Sequence, residues 1–330
     1  MPTVTLGNGK IFEIEADDTV LEGVLRQGAV LEHSCKTGRC GACKSAVVEG
    51  TSVAIGAEIG LDEAERQNGV VLLCVRKATS DLLLDVCDLG GALPPPKRIL
   101  PCRIQSLERV RHDIVHVALR LPPNSSFAYF PGQHINLSSR GGPARSYSIA
   151  NAPRPDGMLE LYIRYVADGA MSRYWFTDAK ANDLLQLVGP LGSFYYRESS
   201  ATNLALLATG TGIAPIRAML QNLAERPAAS RPRRILLFWG ARTPDEIFWD
   251  PSEISLEIEF VPTLSRAAET WNGARGYVQT AMMSSKIEFD DTVVYACGST
   301  AMISSVREIL MDTGLSHRYF YADAFVASSD

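Results

Sequence analysis

Residues 33–44 read HSCKTGRCGACK, and the fold of the chain turns on what this stretch holds. Cys35, Cys40 and Cys43 are threaded with Gly38, Gly41 and Ala42. A cluster this dense serves a zinc ion, a pair of disulfides or an iron–sulfur centre. The opening MPTVTLGNGK has neither a basic segment nor an apolar one of signal-peptide type, so a cytoplasmic chain is expected. In that compartment crowded thiols argue for metal chemistry, and the seven cysteines are in any case an odd number.

The spacing separates the remaining choices. Cys35-x4-Cys40-x2-Cys43, with Cys74 following after thirty intervening residues, is the plant-type ferredoxin pattern for a [2Fe-2S] cluster on four thiolates. Zinc sites offer two C-x2-C pairs or mixed Cys and His ligands. Only one such pair is present, and His33 beside the loop reads as a packing residue. The glycines suit a backbone that wraps an inorganic core and aims N–H groups at its sulfurs. Cys87 and Cys102 lie outside the pattern and read as ordinary small residues.

At 330 residues the chain is long enough for two or three domains. With 46% hydrophobic and 21% charged residues it has a globular composition, and no apolar run approaches the ~18 residues of a membrane span. The net charge of −5 gives no footprint for nucleic acid, so neither nucleic acid nor membrane is expected as a partner. The acidity is concentrated: residues 1–90 carry 14 Asp and Glu against 8 Lys and Arg. TVTLGNGKIFEIE predicts a hairpin about Asn8-Gly9. DDTVLEGVLRQG predicts a short helix capped near Asp17 or Asp18 and ended by Gly28. DLGGALPPPKR (88–98) is a linker by composition.

Short alternating runs from 98 to 200 (DIVHVALRLP, GQHINLSS, RSYSIAN, LELYIRYV) predict an antiparallel barrel. From 201 the rhythm becomes strand then helix, as in a parallel α/β sheet. In RSYS, Arg145 and Tyr147 share a strand face, where a guanidinium suits a pyrophosphate and an aromatic ring a flat cofactor. Ser148 adds a hydroxyl for a ring nitrogen. Gly169 and Ser172 in DGAMSRYWF precede a predicted helix whose N–H groups can take phosphate oxygens. Gly210 and Gly212 in ATGTGIAP allow close backbone approach by a dinucleotide, although Pro215 stands where the fingerprint wants glycine. Cys297-Gly298 ends a later strand, at the carboxyl edge where such sheets bind ligands.

CKTGRCGAC with Cys74, then RSYS, GAMS, GTGIAP and CGSTAM in this order, resemble the ferredoxin–NADP reductase superfamily. More narrowly they resemble its three-module reductases with an N-terminal plant-type ferredoxin domain. The resemblance implies a multidomain α+β and α/β protein: a β-grasp [2Fe-2S] ferredoxin domain over 1–90, a linker over 91–97, an antiparallel β-barrel FAD domain over 98–200 and a Rossmann-like parallel α/β NAD(P)H domain over 201–330. It implies FAD held by Arg145, Tyr147, Ser148 and the Gly169–Met171–Ser172 turn, and nicotinamide near Gly210, Thr211, Gly212, Pro215, Cys297 and Gly298. It also implies that Phe325, in the tail YFYADAFVAS, shields the flavin face that nicotinamide visits. Ser148, Thr211, Cys297 and Phe325 are then the residues nearest the chemistry.

The implied activity is hydride transfer from NADH, NADPH being the less favoured donor, to FAD and single electrons through the cluster at Cys35, Cys40, Cys43 and Cys74. Arg266 and Arg242 could serve a 2′-phosphate, while Asp245 and Glu246 suit free ribose hydroxyls. SYSIANAP, VYACGSTAMI and the ending DAFV are similar to the CDP-6-deoxy-3,4-glucoseen reductases. The expected acceptor is accordingly a pyridoxamine-phosphate-dependent sugar dehydrase, with the oxygenase component of an aromatic or alkane hydroxylating system as the alternative. A non-redox binding protein with vestigial domains is a third reading, and it requires a colourless protein. Lys36, Arg39, Lys44, Arg76 and Lys77 surround the cysteines, suggesting a cationic rim for an acidic partner.

Overall fold

The computed structural model describes residues 1–139, 141–313 and 319–326. The quoted tail therefore lies within it except for residues 327 and 328. Two compact units divide the chain: one of 1–93 joined by Gly192–Phe194 and Asp323–Val326, the other built from the remainder.

In the first unit, strands β1 (Thr3–Leu6), β2 (Ile11–Glu13), β3 (Lys44–Glu49), β4 (Ser52–Ala54), β5 (Val70–Leu72), β6 (Arg76–Ala78) and β7 (Leu82–Leu84) form a five-stranded sheet and a small ribbon. The sheet order is β2-β1-β7-β3-β5, with β1 and β7 parallel at its centre and α1 (Val20–Arg26) packed beside it. This is the β-grasp arrangement. The hairpin turns with Gly9 at φ +80°, as the Asn-Gly pair requires. The helix cap differs from expectation. Thr19 is the N-cap, in a capping box with Glu22, and Asp18 pairs with Arg26 instead. A second short helix, α2 (Glu63–Gln67), has its own box from Asp62 and Glu65.

The second unit begins with β8 (Arg98–Arg111), β9 (Ile114–Arg120), β10 (His134–Ser138), β11 (Arg145–Ser148), β12 (Leu159–Arg164) and β13 (Leu184–Leu191). Their order is β11-β10-β13-β8-β9-β12, antiparallel throughout. Ala150 N donates to Glu160 O at 2.8 Å, linking the chain beyond β11 to β12 and nearly closing a barrel. Alternating residues such as Val115, Val117 and Leu119 fill its interior. Helix α3 (Ala170–Arg173) runs into a five-residue π turn, Tyr174–Asp178.

The unit continues with β14 (Asn203–Thr209), α4 (Ile213–Glu225), β15 (Arg234–Ala241), β16 (Glu259–Leu264), β17 (Ala274–Arg275), α5 (Val278–Ser284), β18 (Thr292–Ser299), α6 (Thr300–Asp312) and the start of β19 (Phe320–Phe325), whose residues from Asp323 on belong to the first unit. The sheet order is β17-β16-β15-β14-β18-β19. From β17 to β18 all neighbours are parallel. β14 is flanked by β15 on one side and β18 on the other, so the strand order reverses at β14. A ligand crevice opens at the carboxyl ends of strands at such a switch point.

Candidate functional site

Cys35, Cys40 and Cys43 lie on the loop between α1 and β3, and Cys74 on the 3-10 turn Leu73–Val75. The loop is wrapped tightly against residues 57–60. A Cβ on Gly38, where φ is +74°, would fall 2.1 Å from Ala57 O, and one on Gly60 would fall 2.7 Å from Gly41 N. Gly60 N also donates to Gly38 O at 2.9 Å, and Leu73 N to Cys43 O at 3.1 Å. Only residues without side chains pack this closely.

The four thiols meet in two pairs, Cys35 with Cys40 and Cys43 with Cys74. The hydrogen bond with Cys40, and acceptance from the amides of Thr37 and Arg39, lowers Cys35 and raises Cys40. The contact between Cys43 and Cys74 likewise lowers Cys74, helped by the Gly38 amide, and raises Cys43. Thr37 N and Cys40 N each lie 3.4 Å from Cys35 Sγ. A two-iron cluster takes two thiolates on each iron, and the two-and-two arrangement with amides aimed at sulfur fits it.

His33 is a packing residue. Its ring Nδ1 lies 2.8 Å from Leu31 O, and its backbone N donates to Ser193 Oγ at 2.7 Å. The rim is not a set of bare cations either. Lys44 holds both Glu65 oxygens at 2.5 and 2.7 Å, Arg76 reaches buried Glu58 at 2.6 Å, and Lys77 donates to Ala16 O at 2.9 Å. Burial opposes ionisation of Glu58, but Arg76 and the Leu72 amide outweigh it and its pKa is lowered. Asp323, which the sequence reading passed over, bonds to Ser34 beside the first cysteine, and burial raises its carboxyl to about 6. Its signal was one acidic residue inside an otherwise apolar strand.

In the second unit, β11 presents Arg145 and Tyr147 half-buried and Ser148 buried. Trp175 Nε1 donates to Tyr147 Oη at 2.9 Å, pinning this strand to the turn that contains Gly169, Met171 and Ser172. Burial lifts the Tyr147 phenol to about 12, against the Trp175 bond. Gly169 is the N-cap of α3. Ser172 lies inside that helix, where its Oγ accepts from Val166 N at 2.9 Å. Phe325 is 38% exposed and is grouped with the first unit, whereas the other flavin and nicotinamide candidates lie in the second.

The glycine turn sits at the switch point. Gly210–Gly212 follows β14, and Cys297-Gly298 closes the neighbouring β18, with Ala208 opposite Cys297. Cys297 is fully buried and Pro215 is buried in the first turn of α4. A Cβ on Gly212 would lie 2.1 Å from Cys297 O, so the two strand ends touch through backbone. Ser299 N donates to Thr209 Oγ1 at 3.2 Å, tying them again.

The sequence reading missed Arg164, the last residue of β12. A Cβ on Gly210 would lie 3.0 Å from its Nη1. Its Nε is 3.4 Å from Asp113 Oδ2, and Nη2 is buried without a hydrogen-bond partner among the described residues. A half-buried guanidinium with its Nη2 unpartnered among the described residues, over a glycine turn, fits a pyrophosphate. Of the two carboxylates considered for ribose, Asp245 is engaged by Arg111 and Thr243, and Glu246 Oε2 accepts from the backbone N–H of Arg242 at 3.2 Å.

Glu160 is a third residue the sequence reading passed over. Its Oε2 lies 3.4 Å from His116 Nε2 and accepts from Arg217 at 2.8 Å, and its Oε1 accepts from Arg154 at 2.7 Å. His116 first and Arg217 next hold its carboxyl at about 2, against burial and an ordinary 4.5. A carboxyl depressed in the folded state contributes stability above its unfolded pKa and loses it as pH falls through the folded one. Melting temperature should therefore fall between about pH 4.5 and 2, and Glu160→Gln should melt lower at pH 7 yet decline less over that window. Thermal melts at stepped pH measure both.

Three family models cover the chain in order: a 2Fe-2S iron–sulfur cluster binding domain over 4–79, an oxidoreductase FAD-binding domain over 101–196 and an oxidoreductase NAD-binding domain over 206–308. The chain is 36% identical over 325 residues to the CDP-6-deoxy-L-threo-D-glycero-4-hexulose-3-dehydrase reductase of Yersinia pseudotuberculosis, covering 97% of each chain. It is 32% identical to the xylene/toluene monooxygenase electron transfer component of Pseudomonas putida, covering 97% of this chain and 92% of that one. Among solved structures, the Amycolatopsis cytochrome P450 reductase superposes over 100% of both chains with a TM-score of 0.74 at 27% identity. No helix among the described residues is long and apolar enough to cross a membrane. The chain belongs to the ferredoxin–NADP reductase superfamily, as a three-module iron–sulfur flavoprotein and NAD(P)H-dependent oxidoreductase.

Proposed function

We propose that this chain is an NADH-dependent reductase that delivers electrons through FAD and a [2Fe-2S] cluster to a partner enzyme. The observation that carries this reading is the four thiols paired two and two on a backbone cradle. A bound flavin supplies the exchange between a two-electron hydride donor and a one-electron centre. The chain's own part is to hold and place. Cys35, Cys40, Cys43 and Cys74 are the cluster ligands, and amides from Thr37, Gly38 and Arg39 stabilise negative charge on sulfur. Arg145, Tyr147, Ser148 and the Gly169–Ser172 turn hold FAD, while Gly210, Thr211, Gly212, Pro215, Cys297, Gly298 and Arg164 receive the dinucleotide. Phe325 is assigned to the flavin face by family resemblance.

The partner in this reading is a pyridoxamine-phosphate-dependent dehydrase acting on a CDP-linked 6-deoxyhexose. The 36% identity to a dehydrase reductase over nearly the whole chain supports it, and the 32% identity to a monooxygenase component keeps an oxygenase as the second reading. NADH is the preferred donor in this reading, supported by the Glu246 carboxylate, which accepts from the backbone N–H of Arg242 at 3.2 Å on the loop after β15 and suits a free ribose hydroxyl. Rapid mixing with NADH under anaerobic conditions should bleach the flavin and then the cluster. A cluster that stays oxidised would end the relay. NADH consumption with dehydrase and CDP-sugar, against an oxygenase with its aromatic substrate, separates the two partners, and kcat/KM for NADH and NADPH decides the donor.

A further inference from the structure

Helix α4 leaves the dinucleotide turn directly after Gly212, and one turn of it faces the barrel. Arg217 Nη1 donates to Ala150 O at 2.8 Å and to Glu160 Oε2 at 2.8 Å, both side chains being 13% exposed. Gln221, one helical turn on and so on the same face, accepts from Ala152 N at 2.9 Å through its Oε1. Ala150, Asn151 and Ala152 are at most 3% exposed and follow Ser148 at the end of β11. They form a rigid knot. Asn151 Nδ2 donates to Met158 O at 3.0 Å, its Oδ1 accepts from Glu160 N at 2.7 Å, and Tyr129 Oη donates to Asn151 O at 3.0 Å.

The helix that begins at one half of the site is thus hydrogen-bonded to the segment that ends the other half. Apolar contact between the two layers is non-directional and tolerates sliding, whereas these polar bonds fix angle and register. We propose that Arg217 and Gln221 are positioning residues that set the spacing between the Gly210–Gly212 turn and the Arg145–Ser148 strand for hydride transfer. This rests on the reductase reading above. Neither side chain belongs to the set assigned to FAD or the dinucleotide, so their effect runs through geometry.

The test uses the full holoprotein and three variants: Gln221→Leu, Arg217→Met and Arg217→Lys. Amide hydrogen exchange at Ala152 should quicken in Gln221→Leu while FAD content stays at the parent level. The rate of flavin reduction at saturating NADH should fall at least about tenfold, since misplacement by ~1 Å costs up to about 100-fold. Affinity for NAD+ should change by less than about threefold, because uniform binding is retained. Arg217→Lys, which keeps the charge opposite Glu160, should recover part of the rate that Arg217→Met loses. Faster exchange at Ala152 with an unchanged reduction rate overturns the proposal, and so does a rate that falls only in step with lost FAD. Where Arg217→Met fails to fold, Gln221→Leu alone decides. A parent protein whose flavin NADH does not reduce overturns the reductase reading instead, which keeps the two failures distinct.

Discussion

Cys74→Ser should leave a protein whose flavin NADH still reduces but which passes almost nothing to a one-electron acceptor. Cys74 is 7% exposed and is paired with Cys43, itself 4% exposed, across a 3-10 turn that holds the sulfur in place. A serine there offers a hydroxyl that does not ionise near neutral pH where a metal ligand must be anionic. The Gly38 amide would then point at an uncharged group. Transfer to cytochrome c should fall by more than about 100-fold, given that even outer-shell partners of a metal site are worth about 10–100-fold. Iron content and the broad visible absorbance should fall together, with FAD retained because its candidate site lies in the other unit. Cys87→Ser, at an exposed cysteine outside the paired set, is the control and should change none of these. Full iron content in Cys74→Ser would remove this residue from the ligand set.

Gly212→Ala should be the most damaging single-methyl change at the dinucleotide turn. The added carbon would sit 2.1 Å from Cys297 O, 2.6 Å from Cys297 C and 3.0 Å from Gly298 N. All three are backbone atoms of β18, a strand buried along nearly its whole length, so no side chain can swing aside. Overpacking of this kind costs about 1–3 kcal/mol, and more where the neighbour cannot retreat. Functionally, moving the turn off the end of β18 by ~1 Å should slow flavin reduction by about 100-fold. Gly210→Ala should rank below it for sterics. There the nearest atom is the Arg164 guanidinium at 3.0 Å, the far end of a flexible side chain, and the remaining cost is a φ of +54°. Thermal melts and stopped-flow reduction by NADH measure both terms. A Gly212→Ala protein that melts with the parent and is reduced at its rate would show the close approach to be dispensable.

Much of the fold was legible where the deciding interactions are local. The Asn8-Gly9 hairpin, the alternation of β9 and β12 and the strand–turn–helix of β14 and α4 are written in neighbouring residues. Errors came where two local devices competed. Asp17, Asp18 and Thr19 are all competent caps, and Thr19 prevails because Glu22 stands three residues on to complete the box. Among the basic residues around the cysteines, folding brings Glu65 to Lys44 and Glu58 to Arg76, 21 and 18 residues away, pairings that local spacing does not show. Of the two nicotinamide-side carboxylates considered, Asp245 is taken by Arg111, 134 residues earlier in the chain.

What the sequence determined by itself is the chemistry on offer: four thiols at ferredoxin spacing, a flavin-type strand, a glycine turn and the order of three modules. Local spacing carries these because a loop's reach and a strand's alternation follow from a few consecutive residues. What only the tertiary structure decided is which groups meet. The thiols pair two and two, Arg164 covers Gly210, Glu160 is held near 2 by His116 and Arg217, and α4 is bonded to the end of the flavin strand. The pairs within the second unit are 44 to 67 residues apart in sequence, and no periodicity links them. They exist because the barrel and the parallel sheet, once closed, bury polar groups that must find partners across the layers or stay unpaired at a cost.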